Sequence, residues 1–182
     1  MTNIKFDLND ISLVPAVLST IRSRKELKIE YDGPKERKTG LGSRFPLIVS
    51  PMDTVINDKN TMSFYGMLTC SIRKENPEYT AKYSFISVSF EQFITMCGEE
   101  KAPQTCLGIL IDIANGHMKD LYDYVQIFNT NNPNIPLMVG NIANPETYRA
   151  YCNILTDIDF VRIGIGGGSA CTTSANTSVH YP

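Results

Sequence analysis

The run IPLMVGNIANPETYRAYCNILTDIDFVRIGI, residues 135–165, decides the fold. Ile135 to Val139 is a short apolar stretch suited to a buried strand. Asn144 then offers a side-chain oxygen to cap a helix, and Pro145 falls at the first helical position, where its missing N–H costs nothing. Tyr148, Tyr151, Cys152 and Leu155 follow at i, i+3, i+4 and i+7, one helix face whose aromatics read as packing rather than as ligand contacts. Phe160 to Ile165 is a second β-branched run and a second strand. Strand, helix, strand over this length is the unit that builds parallel sheets.

Working outward, the strand at Phe160–Ile165 empties into Gly166-Gly167-Gly168 and then Ser169-Ala170-Cys171-Thr172-Thr173. Glycines let backbone groups approach a phosphate or a cation closely, and the thiol of Cys171 follows with hydroxyls on both sides. Each part also has a plainer reading. Three glycines and a serine make a flexible turn, a lone cysteine is commonly a small buried hydrophobe, and Thr172 and Thr173 are ordinary β-branched loop residues.

Upstream the same alternation recurs. Strands are expected at Pro46–Val49, Met67–Ile72, Ser84–Phe90 and Cys106–Ala114. Helices are expected near Asp58–Tyr65, weakly at Asn76–Tyr83, and at Glu91–Glu100. Met118, Leu121, Tyr122 and Val125 give a further helix face that Pro133 ends. Residues 1–45, with short apolar pieces at Ile11–Val17 and Leu27–Ile29 between polar turns, read as an N-terminal arm of short strands. Residues 46–182 are βα units, and the whole of 1–182 reads as one domain. Periodicity alone leaves an open doubly wound sheet and a barrel both available. The polar residues favour the barrel, because Ser50–Asp53, Arg73-Lys74, Asp112 with Asn115, Gly140-Asn141 and the cysteine loop all follow the C-terminal ends of expected strands.

Composition excludes several function classes. The 182 residues are 42% hydrophobic and 20% charged, with a net charge of −2 and scattered basic residues, so no concentrated basic face for nucleic acid is expected. The five cysteines lack metal spacing, and no apolar span suits a membrane helix, which together suggest a reducing cytoplasmic setting. His117 and His180 are the two imidazoles, both expected on loops or the surface.

The run GIGGGSACTT resembles the cysteine loop of the GMP reductase and IMP dehydrogenase family, and the closing Tyr-Pro is closer to the reductase branch. FDLNDISLVPA resembles the family's opening, Ser50-Pro-Met-Asp-Thr-Val its first-strand motif, and IDIANGH at Ile111–His117 a reductase motif. The likeness covers nearly all of the chain and is weakest between Lys74 and Gln104. It implies a parallel (β/α)8 TIM barrel, incomplete here, with about six βα units present. It implies NADPH-dependent reductive deamination of GMP to IMP and ammonia, with Cys171 attacking C2 of the purine and Thr173 assisting departure of the amino group. Ser50, Met52 and Ser169 would touch the purine nucleotide. Ser23, Arg24, Lys74, Asp112, Ile113 and Ala114 would lie along the cofactor. Gly166, Gly168 and Cys171 would offer carbonyls to a monovalent cation, potassium in the family. Without the resemblance, Ser23-Arg24 is equally a solvated basic turn, and Asp112 a strand-end cap.

Some positions depart from the family pattern. Gly167 replaces a proline, Glu75 a cofactor-contacting histidine, Ser174 an arginine, and Ser178 and His180 the glycines around Val179. A barrel of this kind typically needs about 250 residues, so two βα units and a glutamate expected to act in proton transfer are not accounted for. The expectation is a second polypeptide that completes the barrel, in a homo- or hetero-oligomer. Two alternatives stand beside the reductase: IMP oxidation with NAD, for which the LVPA and VSPMDTV spellings speak, and a non-catalytic nucleotide-binding remnant.

Overall fold

A computed structural model describes residues 12, 14, 18–26, 47–52, 56, 69–73, 84–98, 106–154, 159–166 and 171–173. Six strands, β1 (Ile48–Val49), β2 (Thr69–Arg73), β3 (Ser84–Val88), β4 (Gly108–Asp112), β5 (Leu137–Ile142) and β6 (Phe160–Ile163), form one sheet in the order β1-β2-β3-β4-β5-β6. Every neighbouring pair is parallel, with Phe85 opposite Gly108, Leu110 opposite Met138, and Met138 opposite Phe160. A doubly wound sheet reverses its strand order at a switch point, and this sheet does not. Each unit lays its strand beside the last.

Three helices connect the described strands: α1 (Phe90–Gly98), α2 (Lys119–Asn131) and α3 (Pro145–Ile154). On α2 the residues that go in are Leu121, Val125 and Phe128, at i, i+4 and i+7, and Phe128 meets Phe93 of α1 with ring centroids 5.1 Å apart. Asn132 closes the helix, its N–H donating to the Phe128 carbonyl just before Pro133. The Asn144 cap forms as the sequence predicts: its Oδ1 accepts from the N–H of Glu146 at 2.7 Å and of Thr147 at 3.3 Å.

Side chains alternate between two apolar faces. Ile86, Val88, Ile109, Ile111, Leu137 and Val139 join Leu121, Val125, Phe128 and Tyr151 under the helices. Phe85, Leu110 and Met138 make a second cluster, with Leu107 and Phe160 against it. A cavity of about 170 Å³ is lined by Ile48, Ser50 and Pro51 from the β1 end together with Leu110, Met138, Phe160, Val161 and Arg162. In a flat sheet β1 and β6 would stand about 24 Å apart, five strand spacings. Their sharing of so small a cavity means the sheet is strongly curled.

Several boundaries differ from expectation, each for a local reason. The third strand stops at Val88 instead of running through Phe90, because Ser89 and Gln92 cap α1 reciprocally: Gln92 Oε1 accepts from Ser89 N at 2.8 Å and Ser89 Oγ from Gln92 N at 3.3 Å. The fifth strand begins after Pro136, which has no N–H for the ladder, and continues through Gly140 and Asn141, which therefore lie within β5 rather than after it. The first strand is confined to Ile48–Val49, the fourth to Gly108–Asp112, and the sixth ends at Ile163. Of the expected α3 face Tyr151 is buried, Tyr148 and Cys152 are exposed, and Leu155 lies outside the described residues; the face toward the core runs through Thr147 and Tyr151. The helices expected at 58–65 and 76–83 lie outside the described residues. In the arm, a 3-10 turn at Arg24–Glu26 is described. No helix among the described residues is long and apolar enough to cross a membrane.

Candidate functional site

The C-terminal ends of β4, β5 and β6 are where polar side chains converge. Asp112, the last residue of β4, accepts a hydrogen bond at 2.7 Å from Arg162 of β6, reaching across β5. The pair keeps little solvent contact, with 26% of the Arg162 side chain and 15% of the Asp112 side chain exposed. Between them stands Gly140, where a Cβ would fall 2.6 Å from Arg162 Cβ and 2.7 Å from its carbonyl oxygen, so no larger residue fits without moving β6. Two residues beyond Arg162 the chain turns at Gly164, whose φ of +103° is a conformation that L side chains rarely adopt. Asn141 Nδ2 donates to the Gly164 carbonyl at 2.6 Å, and Gly164 N–H donates to the Ile142 carbonyl at 2.8 Å. The first residue of the cysteine loop is thus fixed from β5.

The turn after β4 is tied to the turn after β5. Ile113 N–H donates to the Gly140 carbonyl at 3.0 Å and Asn141 N–H to the Ile113 carbonyl at 2.6 Å. Gly116 N–H donates to the Asn141 carbonyl at 2.8 Å, while the buried hydroxyl of Tyr151 donates to the Gly116 carbonyl at 2.9 Å. Burial, reinforced by Tyr122 nearby, pushes the Tyr151 phenol up to about 12, which keeps it a donor. These bonds hold Asp112, Ile113 and Ala114 in a half-buried position at the end of β4.

Beyond the glycines, Cys171 is exposed and Thr173 half-buried. The hydroxyl of Thr173, and then its backbone N–H, donate toward the Cys171 sulfur and hold the thiol below its ordinary 9.0. The other described thiols differ. Burial pushes Cys97 and Cys106 up to about 11, and Cys97 donates to the Tyr124 carbonyl at 3.6 Å. Cys152, expected on an apolar face, is exposed instead.

The expected site residues fall into three groups. Cys171 with Thr173, and Asp112 with Ile113 and Ala114, are assembled at the strand ends, and Ser50 lines the curled cavity that Arg162 also lines. Met52 is exposed after β1, its N–H donating to the Ser50 carbonyl. Ser23 is exposed in the turn that includes Arg24, with Ser23 Oγ accepting from Lys25 N and Glu26 Oε2 from Arg22 N. Lys74, Gly168 and Ser169 lie outside the described residues. Of the expected cation-binding set, Gly166 adopts φ +68°, and no cluster of metal-binding His, Cys, Asp or Glu side chains occurs among the described residues. Sequence reasoning placed Gly140-Asn141 at a strand end without a role for Asn141, took Tyr151 as packing, and passed over Arg162. The one available signal was the charge of Arg162 in an otherwise apolar strand.

Residues 104–182 match the family model of the IMP dehydrogenase / GMP reductase domain. The chain is also similar to GMP reductase 1 of Homo sapiens, 29% identical over 196 residues, and to GMP reductase of Ascaris suum, 30% identical over 201 residues. The alignments cover 99% and 98% of this chain but 55% and 54% of those relatives. The similarity is thus to the IMP dehydrogenase and GMP reductase family, carried by residues 104–182 in the family model. It spans about half the length of the curated relatives it matches. The family match covers β4, β5, β6 and the cysteine loop, the part of the sheet whose ends carry the polar cluster.

Proposed function

We propose that the chain carries the first six units of a (β/α)8 barrel and acts as a GMP reductase, converting GMP to IMP and ammonia with NADPH. The observation that carries this reading is the exposed Cys171 thiol, lowered by two donors from Thr173, in a loop delivered from the C-terminal end of a sequentially ordered parallel sheet. Similarity to proteins named GMP reductase supports the choice of branch.

In this reading the Cys171 thiolate bonds to C2 of the purine, and the C2–N bond breaks with Thr173 hydrogen-bonded to the departing amino group. A reduced nicotinamide held beside Asp112–Ala114 would supply a hydride to C2. The C–S bond then breaks and returns the thiolate, so that GMP, NADPH and two protons give IMP, NADP⁺ and ammonium. Ser50, Met52 and Ser169 position the nucleotide, and Asp112–Ala114 line the cofactor side with Ser23, Arg24 and Lys74. The half-buried end of β4 suits a nicotinamide better than a phosphate, since the cation there, Arg162, is already paired with Asp112. Carbonyls of Gly166, Gly168 and Cys171 would hold a monovalent cation, which would order the loop without taking part in the redox step. We place the protein in the cytoplasm as one domain of an oligomer. The remaining barrel units belong to this reading whether they lie in the same polypeptide or a second one.

The test is GMP-dependent loss of NADPH absorbance by the protein with its remaining barrel units, abolished in Cys171→Ala. NADH formation from IMP would assign the chain to the dehydrogenase branch, which the family description also names. Calorimetric binding of GMP or IMP without turnover under either cofactor would assign it to non-catalytic nucleotide binding.

A further inference from the structure

His117 is the exposed residue on which the two site-bearing turns close. Its Nε2 lies 3.1 Å from the backbone N of Ala143, its Nδ1 lies 2.8 Å from Thr147 Oγ1, and its own N–H donates to Asn115 Oδ1 at 3.2 Å. A backbone N–H can only donate, so Nε2 must present its lone pair; the neutral ring then carries its proton on Nδ1 and donates it to Thr147. The geometry selects one tautomer. Next to it, Gly116 is bonded to Asn141 and Tyr151, and Asn141 holds the Gly164 carbonyl where the cysteine loop begins.

We propose that His117, as the Nδ1–H tautomer, is a positioning residue that clasps the β4–α2 turn to the β5–α3 turn. The clasp keeps Asp112–Ala114 and the start of the cysteine loop in register. It requires the lone pair at Nε2, which neither the other tautomer nor an imidazolium offers to the Ala143 N–H. The charged side chains on the elements that meet there are Lys119 and Asp120 of α2 and Glu146 and Arg149 of α3; Lys119 is paired with Asp123 and Glu146 with Arg149. The clasp's bearing on catalysis rests on the proposed function, but the clasp itself does not.

Long-range ¹H–¹⁵N NMR of the His117 ring reads the tautomer, and amide exchange reads the clasp. The Nδ1–H form is expected. His117→Leu should raise exchange at Ala143, Gly116 and Asn141 about tenfold, the scale of one lost hydrogen bond, and leave β3 and α1 unchanged. His117→Gln, which keeps one acceptor and one donor, should restore most of the protection, and Thr147→Val gives a milder loss should the Leu variant fold poorly. An Nε2–H tautomer, or unchanged exchange at Gly116 and Asn141 in the Leu and Val variants, overturns the proposal. Titration of the same proteins with NADPH separates the two readings: absence of cofactor binding by the wild type counts against the reductase, while exchange still decides the clasp.

Discussion

The helix-covered face of the sheet and the C-terminal ends of its strands belong to the same βα units, yet different forces hold them. Under the helices, Ile109, Ile111, Val139, Leu121 and Phe128 are fully buried and apolar, and their contribution grows with the apolar area removed from water. At the strand ends, Asp112, Arg162, Asn141 and His117 are placed by directional bonds of 2.6–3.2 Å, each of modest net worth. The core supplies stability, whereas the strand ends supply position. Mutations can separate the two.

The largest effect should come from the core. Phe128→Ala leaves a hole beside Phe93 and should cost about 3–5 kcal/mol in urea unfolding, without altering Cys171 alkylation in the native baseline. Arg162→Met removes a charged hydrogen bond to a carboxylate that keeps little solvent contact, and should cost about 2 kcal/mol, partly restored by Arg162→Lys. A loss as large as that of Phe128→Ala would erase the distinction between the regions. Asn144→Ala removes the cap of α3, remote from both, and should cost about 1 kcal/mol by the same measurement.

What was legible in the sequence follows the same division. The alternation of strands and helices, the α2 face and the Asn144 cap were readable because each depends on residues a few positions apart. The Ser89–Gln92 cap was equally local and went unread beneath the apolar run that precedes it. The α3 face was misread because Tyr148 and Cys152 keep the right spacing while the tertiary fold turns Thr147 and Tyr151 inward. The strand-end network was not readable at all: Arg162 reaches Asp112 over 50 positions and Tyr151 reaches Gly116 over 35, and no local pattern pairs such residues. Cys171 and Thr173 stood out through family resemblance, and their mutual bonding adds a physical reason for the pairing.

The central claim is that Cys171 is a poised nucleophile while the other described thiols are inert or merely accessible. Brief iodoacetamide treatment at a series of pH values, followed by mass-spectrometric mapping with and without GMP, tests it most directly. Cys171 should be modified first, with a half-maximal rate below pH 9.0 and with protection by GMP. Cys152 should follow with no effect of nucleotide, and Cys97 and Cys106 should remain slow until the pH nears about 11. Modification of Cys97, Cys106 or Cys152 ahead of Cys171, or a Cys171 midpoint at or above 9.0, would contradict the account.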